Sequence, residues 1–431
     1  MTTLTERAAE LLLASHAFDP ATPGFVGASL ELPVAAAPSH RVPLRHGFLD
    51  ARSARVAVVS GPPSPGLAAC LDRIADDLAA TSAAGFAWPT APLPIARVHG
   101  SAQLLTDDGR LRDNQTQPRT DDARTHAGEP QLRGGDSQLR NGEIPLRVGG
   151  THLQDGKIPL RDGNTQLQGG GSPLRAGDAQ LRDGDIRLRA GESPSGAGGI
   201  RVALEAGLDA GGPLGLERRW ALAHTLAPVL AAAFANSPLL GGEPSGWRSV
   251  RQARNRDLPV LPVEADARRG WARFVLDAPG RDGRTFRERA RSGERPRLAD
   301  LAEHVESLRP PVAARGHLEI DVADRQPGRG WRVVVAVTTV LLDDPRAASA
   351  AELATATLAV EPGLWERAAR DALTDPVLAA AARECFVEAY AALARHGADR
   401  DLRDAVADFT DRYVMRARCP ADDVLGAHVV G

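Results

Sequence analysis

Between Asn236 and Gln252 the chain reads NSPLLGGEPSGWRSVRQ, which crowds Trp247, Arg248, Ser249, Arg251 and Gln252 onto the far side of a Gly-rich turn. A loop does not need that crowd in order to turn. Two guanidiniums beside an indole, a hydroxyl and amides form a fork and a face suited to carboxylate or phosphate oxygens. The plainer alternative is that Arg248 and Arg251 meet acids across the turn, Trp247 packs over it, and Asn236 caps the preceding helix.

Other chemistries are excluded by what is missing. The sequence holds one lysine, Lys157, and no G-x-x-x-x-G-K-[ST]. Any nucleotide phosphates would therefore fall to arginines and metal ions rather than to a P-loop. The 11 histidines show no H-x-x-x-H or H-E-x-x-H spacing, so no zinc is assigned. No G-x-S-x-G is present, and serine hydrolysis lacks its nucleophile elbow. Cys70, Cys385 and Cys419 are odd in number with no C-x-x-C, which reads as reduced thiols in a cytoplasmic protein.

The 431 residues are 43% hydrophobic and 25% charged, with a net charge of −3. That is enough chain for one large or two ordinary domains. With no basic surplus to collect phosphates, neither a nucleic acid nor a membrane surface is expected as partner. The first residues lack a basic flank and an unbroken apolar core, and no apolar run approaches a membrane span.

The elements that must position these residues follow from periodicity. Residues 55–60 (RVAVVS) alternate as a strand, and Gly66–Ala80 carries Leu67, Leu71, Ile74 and Leu78 on one helical face. Glu217–Ala235 reads as a helix with a kink at Pro228. Trp271–Leu276 and His317–Val322 read as strands, while Trp331–Leu342 is ambiguous between strand and helix. Asp344-Pro345 and Asp375-Pro376 each set an N-cap before a proline at the first helical position. Leu364–Leu373, Val377–Arg395 and Leu402–Arg416 make the C-terminal third helix-rich. Strands interleaved with helices, without a βαβ rhythm, give an α+β class.

From Gln131 to Ser193 the chain repeats every seven residues (QLRGGDS, QLRNGEI, PLRVGGT and onward), and decayed units carry the register back to Gln103. A coiled coil fails, because one position per unit is apolar and a recurrent glycine costs roughly 1 kcal/mol of helix each time. A β-solenoid would have little core to stack. The expectation is a disordered polyampholyte insert over 101–199, too poor in apolar groups to offset its ordering entropy. It separates 1–100 from 200–431, which must then form one body.

The motifs A-N-S-P at 235–238, G-W-R-S at 246–249 and Arg251-Gln252 resemble the glutamate–cysteine ligases of the ergothioneine pathway. Val26–Leu32, Arg55–Pro63, Arg201–Gly211 and Arg315–Asp321 align with strands of that family. Trp365–Asp371, Asp375-Pro376 and Arg418–Asp423 follow its C-terminal helices. The resemblance implies a glutamine-synthetase-like curved antiparallel sheet with packed helices. It also implies ATP and Mg²⁺ as cofactors, and phosphorylation of the γ-carboxylate of glutamate before attack by the amine of cysteine. The partners it implies are these small molecules. Residue by residue, it assigns metal to Glu31 and Glu319, and glutamate carboxylate or phosphates to Asn236, Arg248, Arg251 and Arg315. Departures from the family pattern are Ser29 and Val58 for glutamate, Leu32 for tryptophan, Val56 and Glu205 for glutamine, Gly207 for asparagine, and Asp321 for arginine. They leave a second expectation open: a relative that keeps the scaffold as a binding or partner protein without turnover.

Overall fold

A computed structural model describes residues 4–83, 198–258, 266–280, 282–294 and 296–430. The heptad array and its expected disorder lie outside the described residues.

Ten strands are described: β1 (Phe25–Pro33), β2 (Val42–Pro43), β3 (Phe48–Ser53), β4 (Val56–Ser60), β5 (Ser64–Pro65), β6 (Gly199–Leu204), β7 (Leu239–Leu240), β8 (Glu243–Pro244), β9 (Val312–Ala314) and β10 (Leu318–Asp324). The main sheet runs β2-β3-β4-β1-β6-β10-β9, with β5 on β1, and its pairings are antiparallel. β6, which opens at Gly199, lies between β1 and β10, so strands from both sides of the repeat array form one sheet.

Successive side chains on a strand alternate between faces, and the register sorts them cleanly here. Leu30 lies opposite Ile200, Ala28 opposite Val202, and Ile320 opposite Val202 on the other side. These residues are buried in the main core. Leu32, Leu49, Ala57 and Val59 continue the same face as a smaller cluster. The other face carries Ser29, Glu31, Arg201 and Glu319, and here the chemistry gathers.

Thirteen α-helices are described: α1 (Glu6–Ser15), α2 (Gly66–Ala83), α3 (Leu216–Ala233), α4 (Val250–Ala253), α5 (Ala267–Asp277), α6 (Phe286–Arg291), α7 (Leu298–Ser307), α8 (Trp331–Asp343), α9 (Pro345–Thr355), α10 (Leu364–Arg370), α11 (Pro376–Arg395), α12 (Arg400–Arg412) and α13 (Pro420–Val430). α2 packs on β1, α8 on β6 and α3 on β10, covering the apolar face. Each aliphatic side chain fully buried there contributes about 1.5–3 kcal/mol. Both Asp-Pro caps form: Asp344 accepts from the N–H groups of Arg346 and Ala347, and Asp375 from those of Val377 and Leu378. None of the described helices is long and apolar enough to cross a membrane.

The structure corrects one element outright. Trp271–Leu276 is part of helix α5, not a strand. Buried Ala267, Trp271, Phe274 and Val275 recur at helical spacing, and Asp266 caps the start by accepting from the Arg269 N–H at 3.0 Å. The six-residue apolar run hid that spacing. Trp331–Leu342 resolves as helix α8, apolar and buried nearly all round, which is how a run of valines becomes tolerable in a helix.

Candidate functional site

The Asn236–Gln252 segment does not present its polar groups outward; it grips the end of β10. α3 ends with the Phe234 N–H donating to Leu230, so Asn236 is not its cap. Instead the Asn236 backbone N–H donates to Asp324 Oδ2 at 2.8 Å, and its amide Nδ2 donates to the Arg325 carbonyl at 2.7 Å. The Ser237 hydroxyl donates to Asp324 Oδ2 at 2.8 Å and that of Ser249 to Oδ1 at 3.0 Å. Gln252 Nε2 donates to the Val322 carbonyl at 2.8 Å. Between them the chain reverses through the β7–β8 hairpin, where Gly241 and Gly242 hold φ of 65° and 90°. Two adjacent positive φ values demand glycine there.

Arg251 is the centre of this grip. Its Nε donates to Asp324 Oδ1 at 3.0 Å, Nη1 to Asp321 Oδ1 at 2.7 Å, and Nη2 to the Ala323 carbonyl at 2.6 Å. The side chain is wholly buried. A guanidinium shut in on that side of the strand is not presented to a ligand arriving from solvent. Arg248 turns the other way, donating to Asp422 Oδ1 at 3.1 Å, and so ties the hairpin to α13. Trp247 is half-buried beside it.

The polar face of the sheet carries a second set of charges, continuous with the first through Asp321. Glu31 on β1 accepts at Oε1 from Arg52 Nε at 2.9 Å and from Arg201 Nη2 at 3.4 Å. Its Oε2 accepts from the Gly199 N–H at 3.1 Å. Glu319 lies 3.7 Å from Arg201 Nη1 and 3.7 Å from Arg315 Nε. Asp321 Oδ2 faces Arg254 at 3.5 Å and Arg201 at 3.9 Å. Arg315 also donates to the Val305 and Leu308 carbonyls, 2.9 Å each, with its guanidinium over the Trp271 ring.

Burial pushes the Glu31 carboxyl up, but Arg52 and Arg201 outweigh it and hold the group below its ordinary range. For Glu319 burial acts the same way, and Arg315 and Arg201 prevail. Asp321 is also held low, with Arg251 and Arg201 overcoming burial. The cations respond unequally. Arg201 and Arg251 are raised, because their carboxylates outweigh burial. Arg254 is lowered to about 10 by burial and by Arg251 beside it. Arg309 is lowered to about 9 by burial and then by Arg52, Arg201 and Arg315.

Four residues singled out in the sequence thus come together in one network: Glu31, Glu319, Arg315 and Arg251. Asn236 joins it through Asp324, and Arg248 stands apart. Sequence reasoning missed Arg52, Arg201, Arg254, Arg309 and Asp324. The available signal was Arg201, the one charge in the apolar strand GIRVAL. The departures gain physical content as well. Ser29 is hydrogen-bonded to Ser60 at 2.9 Å, and Val58 lies directly opposite Glu31. At Gly207, with φ of 109°, an added Cβ would stand 2.6 Å from the Leu214 carbonyl oxygen, so no asparagine fits. Asp321 reverses the charge of the family arginine, yet Arg251, Arg254 and Arg201 surround it.

A resident divalent cation needs carboxylate oxygens free to converge on it. No group of three or more His, Cys, Asp or Glu side chains among the described residues is arranged to hold a metal ion. Both oxygens of Glu31 are engaged, and guanidiniums stand on both sides of Glu319. As arranged, Glu31 and Glu319 do not fit Mg²⁺.

The sequence model of glutamate–cysteine ligase family 2 (GCS2) matches residues 200–429, a stretch that runs from within β6, through the segment gripping β10, into the last C-terminal helix. The chain is 38% identical over 248 residues to glutamate–cysteine ligase EgtA of Mycolicibacterium smegmatis, covering 51% of this chain and 56% of that protein. It is 35% identical over 261 residues to glutamate–cysteine ligase EgtA of Mycobacterium tuberculosis H37Rv, covering 53% and 57%. Chloroplastic glutamate–cysteine ligase B of Oryza sativa subsp. japonica is 28% identical over 159 residues, 31% of this chain and 32% of that one. The chain therefore spans a little over half the length of the bacterial relatives it matches. With more than half of its residues matched by the family, the chain belongs to glutamate–cysteine ligase family 2.

Proposed function

We propose that the protein joins the γ-carboxylate of L-glutamate to the amine of L-cysteine at the expense of ATP, giving γ-glutamylcysteine for ergothioneine or a related thiol. The observation that carries this reading is the match over residues 200–429, supported by 35–38% identity to EgtA-type ligases. In balance, a γ-carboxylate oxygen attacks the terminal phosphorus of ATP and ADP leaves. The cysteine amine then attacks the acyl carbon, expelling phosphate and losing a proton. The chain's own contribution is positional. Arg315, Arg201 and Arg52 offer guanidinium forks to carboxylate or phosphoryl oxygens, while Asn236 and Arg251 fix the strand that carries Glu319. No step is assigned to a metal held by Glu31 and Glu319.

One observation favours a second reading. Ser29 and Val58 remove two acids of the family pattern, and Arg52 and Arg201 neutralise Glu31. A scaffold kept for binding, without turnover, would look the same. Losing one preorganised electrostatic contact typically costs on the order of 10²–10³ in rate. The deciding experiment is ADP and phosphate release from ATP with glutamate and cysteine, with mass detection of γ-glutamylcysteine. Turnover at an ordinary rate sinks the scaffold reading; a folded protein that forms no dipeptide sinks the ligase.

A further inference from the structure

We propose that Arg52, Arg201, Arg309 and Arg315 form an oxyanion site on the polar face of the sheet, one that takes a phosphoryl or carboxylate group directly, without a resident divalent cation.

The geometry carries the charge argument. Among the described residues, six guanidiniums (Arg52, Arg201, Arg251, Arg254, Arg309 and Arg315) face four carboxylates (Glu31, Glu319, Asp321 and Asp324). On the buried side Arg251 holds both Asp321 and Asp324, and Asp321 also faces Arg254 and, at 3.9 Å, Arg201. That leaves four arginines around Glu31 and Glu319. Glu31 is closed by Arg52, Arg201 and the Gly199 N–H, and only the long 3.7 Å contacts of Glu319 remain.

Arg309 is the residue this arrangement leaves over. Its Nη1 donates to the Leu308 carbonyl at 3.1 Å, and its buried Nε has no hydrogen-bond partner. No carboxylate among the described residues lies within ion-pairing distance of it. Burial and the three neighbouring arginines push its pKa down to about 9, and Glu319 offsets only part of that. Crowded like charges of that kind are relieved by an anion, and guanidinium forks match oxyanions two oxygens at a time. Access exists, because the side chains of Arg52, Arg201, Glu319 and Arg315 keep 15–16% of their surface exposed while Asp321 and Arg251 keep 3% and none. A divalent cation entering here would meet the same surplus of positive charge. The assignment is independent of turnover, since a scaffold without activity would keep the site.

The test uses the full chain in excess chelator, titrated calorimetrically with inorganic phosphate and separately with L-glutamate. Saturable binding of either one, unchanged by added Mg²⁺ and weakened by salt, is the expected result, and the arm that saturates identifies the oxyanion. Arg309→Gln should weaken it roughly tenfold, about 1.4 kcal/mol, and Arg309→Lys should restore most of the loss. Glu319→Gln should leave the anion bound as tightly or more tightly, because a competing negative charge is gone. Circular dichroism checks that each variant folds, and the Glu319→Gln arm decides alone if Arg309→Gln does not. The proposal falls if neither anion saturates, if binding requires Mg²⁺, or if Mn²⁺ binds the chain stoichiometrically and Glu319→Gln abolishes that binding.

Discussion

Arg251 Nη1 and Asp321 Oδ1 meet at 2.7 Å with neither side chain open to water, beside the bulge that interrupts β10 between Ile320 and Ala323. A buried ion pair is rarely a large net gain, but breaking it strands an uncompensated charge. Arg251→Met leaves both Asp321 and Asp324 without this partner. It should destabilise the fold by about 3–5 kcal/mol, read as a lowered midpoint in urea unfolding. A loss below about 1 kcal/mol would mean that the aspartates find other partners or take up protons.

Gly199 makes room for that pair. A Cβ on it would stand 2.6 Å from the Arg251 guanidinium carbon. Gly199→Ala should therefore cost about 1–3 kcal/mol, the range of an overpacked core. Gly426 is the control: it lies in α13 with nothing within 4 Å of an added Cβ. Gly426→Ala should stabilise by roughly 0.5–1 kcal/mol through helix propensity. Paired thermal melts check both signs.

Asp344 caps α9 and also meets Arg395 at 2.6 Å and His396 at 2.9 Å. Burial pushes its carboxyl up, but Arg395 and the helix N–H groups prevail and bring it to about 2. Because the folded pKa lies below the unfolded one, near 3.9, its stabilisation is present above pH ~4 and is lost as pH falls toward about 2. Asp344→Asn keeps a capping oxygen and should flatten that part of the acid-unfolding curve.

His224 sits 4.4 Å from the Trp220 ring, with Nε2 buried and unpartnered. Burial lowers its pKa to about 4. The folded state therefore holds the ring neutral, and stability should fall as pH drops from ~6.5, where the unfolded ring charges, toward about 4. His224→Phe should remove this component of the decline between those two values, measured by urea titration across pH.

All three cysteines are buried, and burial pushes the Cys70 and Cys385 thiols up to about 12. Thiolate, not thiol, attacks disulfide reagents. At pH 8 the native chain should release almost no colour from an aromatic disulfide reagent. After denaturation it should release three equivalents, one for each cysteine in the sequence.

Local signals were legible in the sequence where they are local in physics. Alternation gave β4, and the two Asp-Pro steps gave the starts of α9 and α11 to the residue. Trp271–Leu276 misled because six apolar residues fit either period; the cap at Asp266 and the buried Ala267 that settle the matter lie outside that window. The site was harder for a different reason. Asp321 reads as a lost arginine when taken alone, and as a compensated charge only beside Arg251, 70 positions away. Arg52 and Arg201 became visible only when the sheet order set β6 beside Glu31 on one side and β3, one strand beyond β4, on the other. The tryptophan–arginine motif marked lineage, yet its polar groups turn inward to hold β10, an orientation that residue types alone do not specify.

The place of β6 bears on biosynthesis. The Gly199 N–H closes on Glu31 across 168 positions. At translation speeds of about 5–20 residues per second, β1 leaves the ribosome roughly 10–30 s before its central neighbour exists. During that interval β1 exposes an open edge, and the apolar face has α2 over it but neither α3 nor α8. Such a nascent hairpin array is a substrate for chaperones, and its yield in cells should respond to their supply more than to the stability of the finished fold.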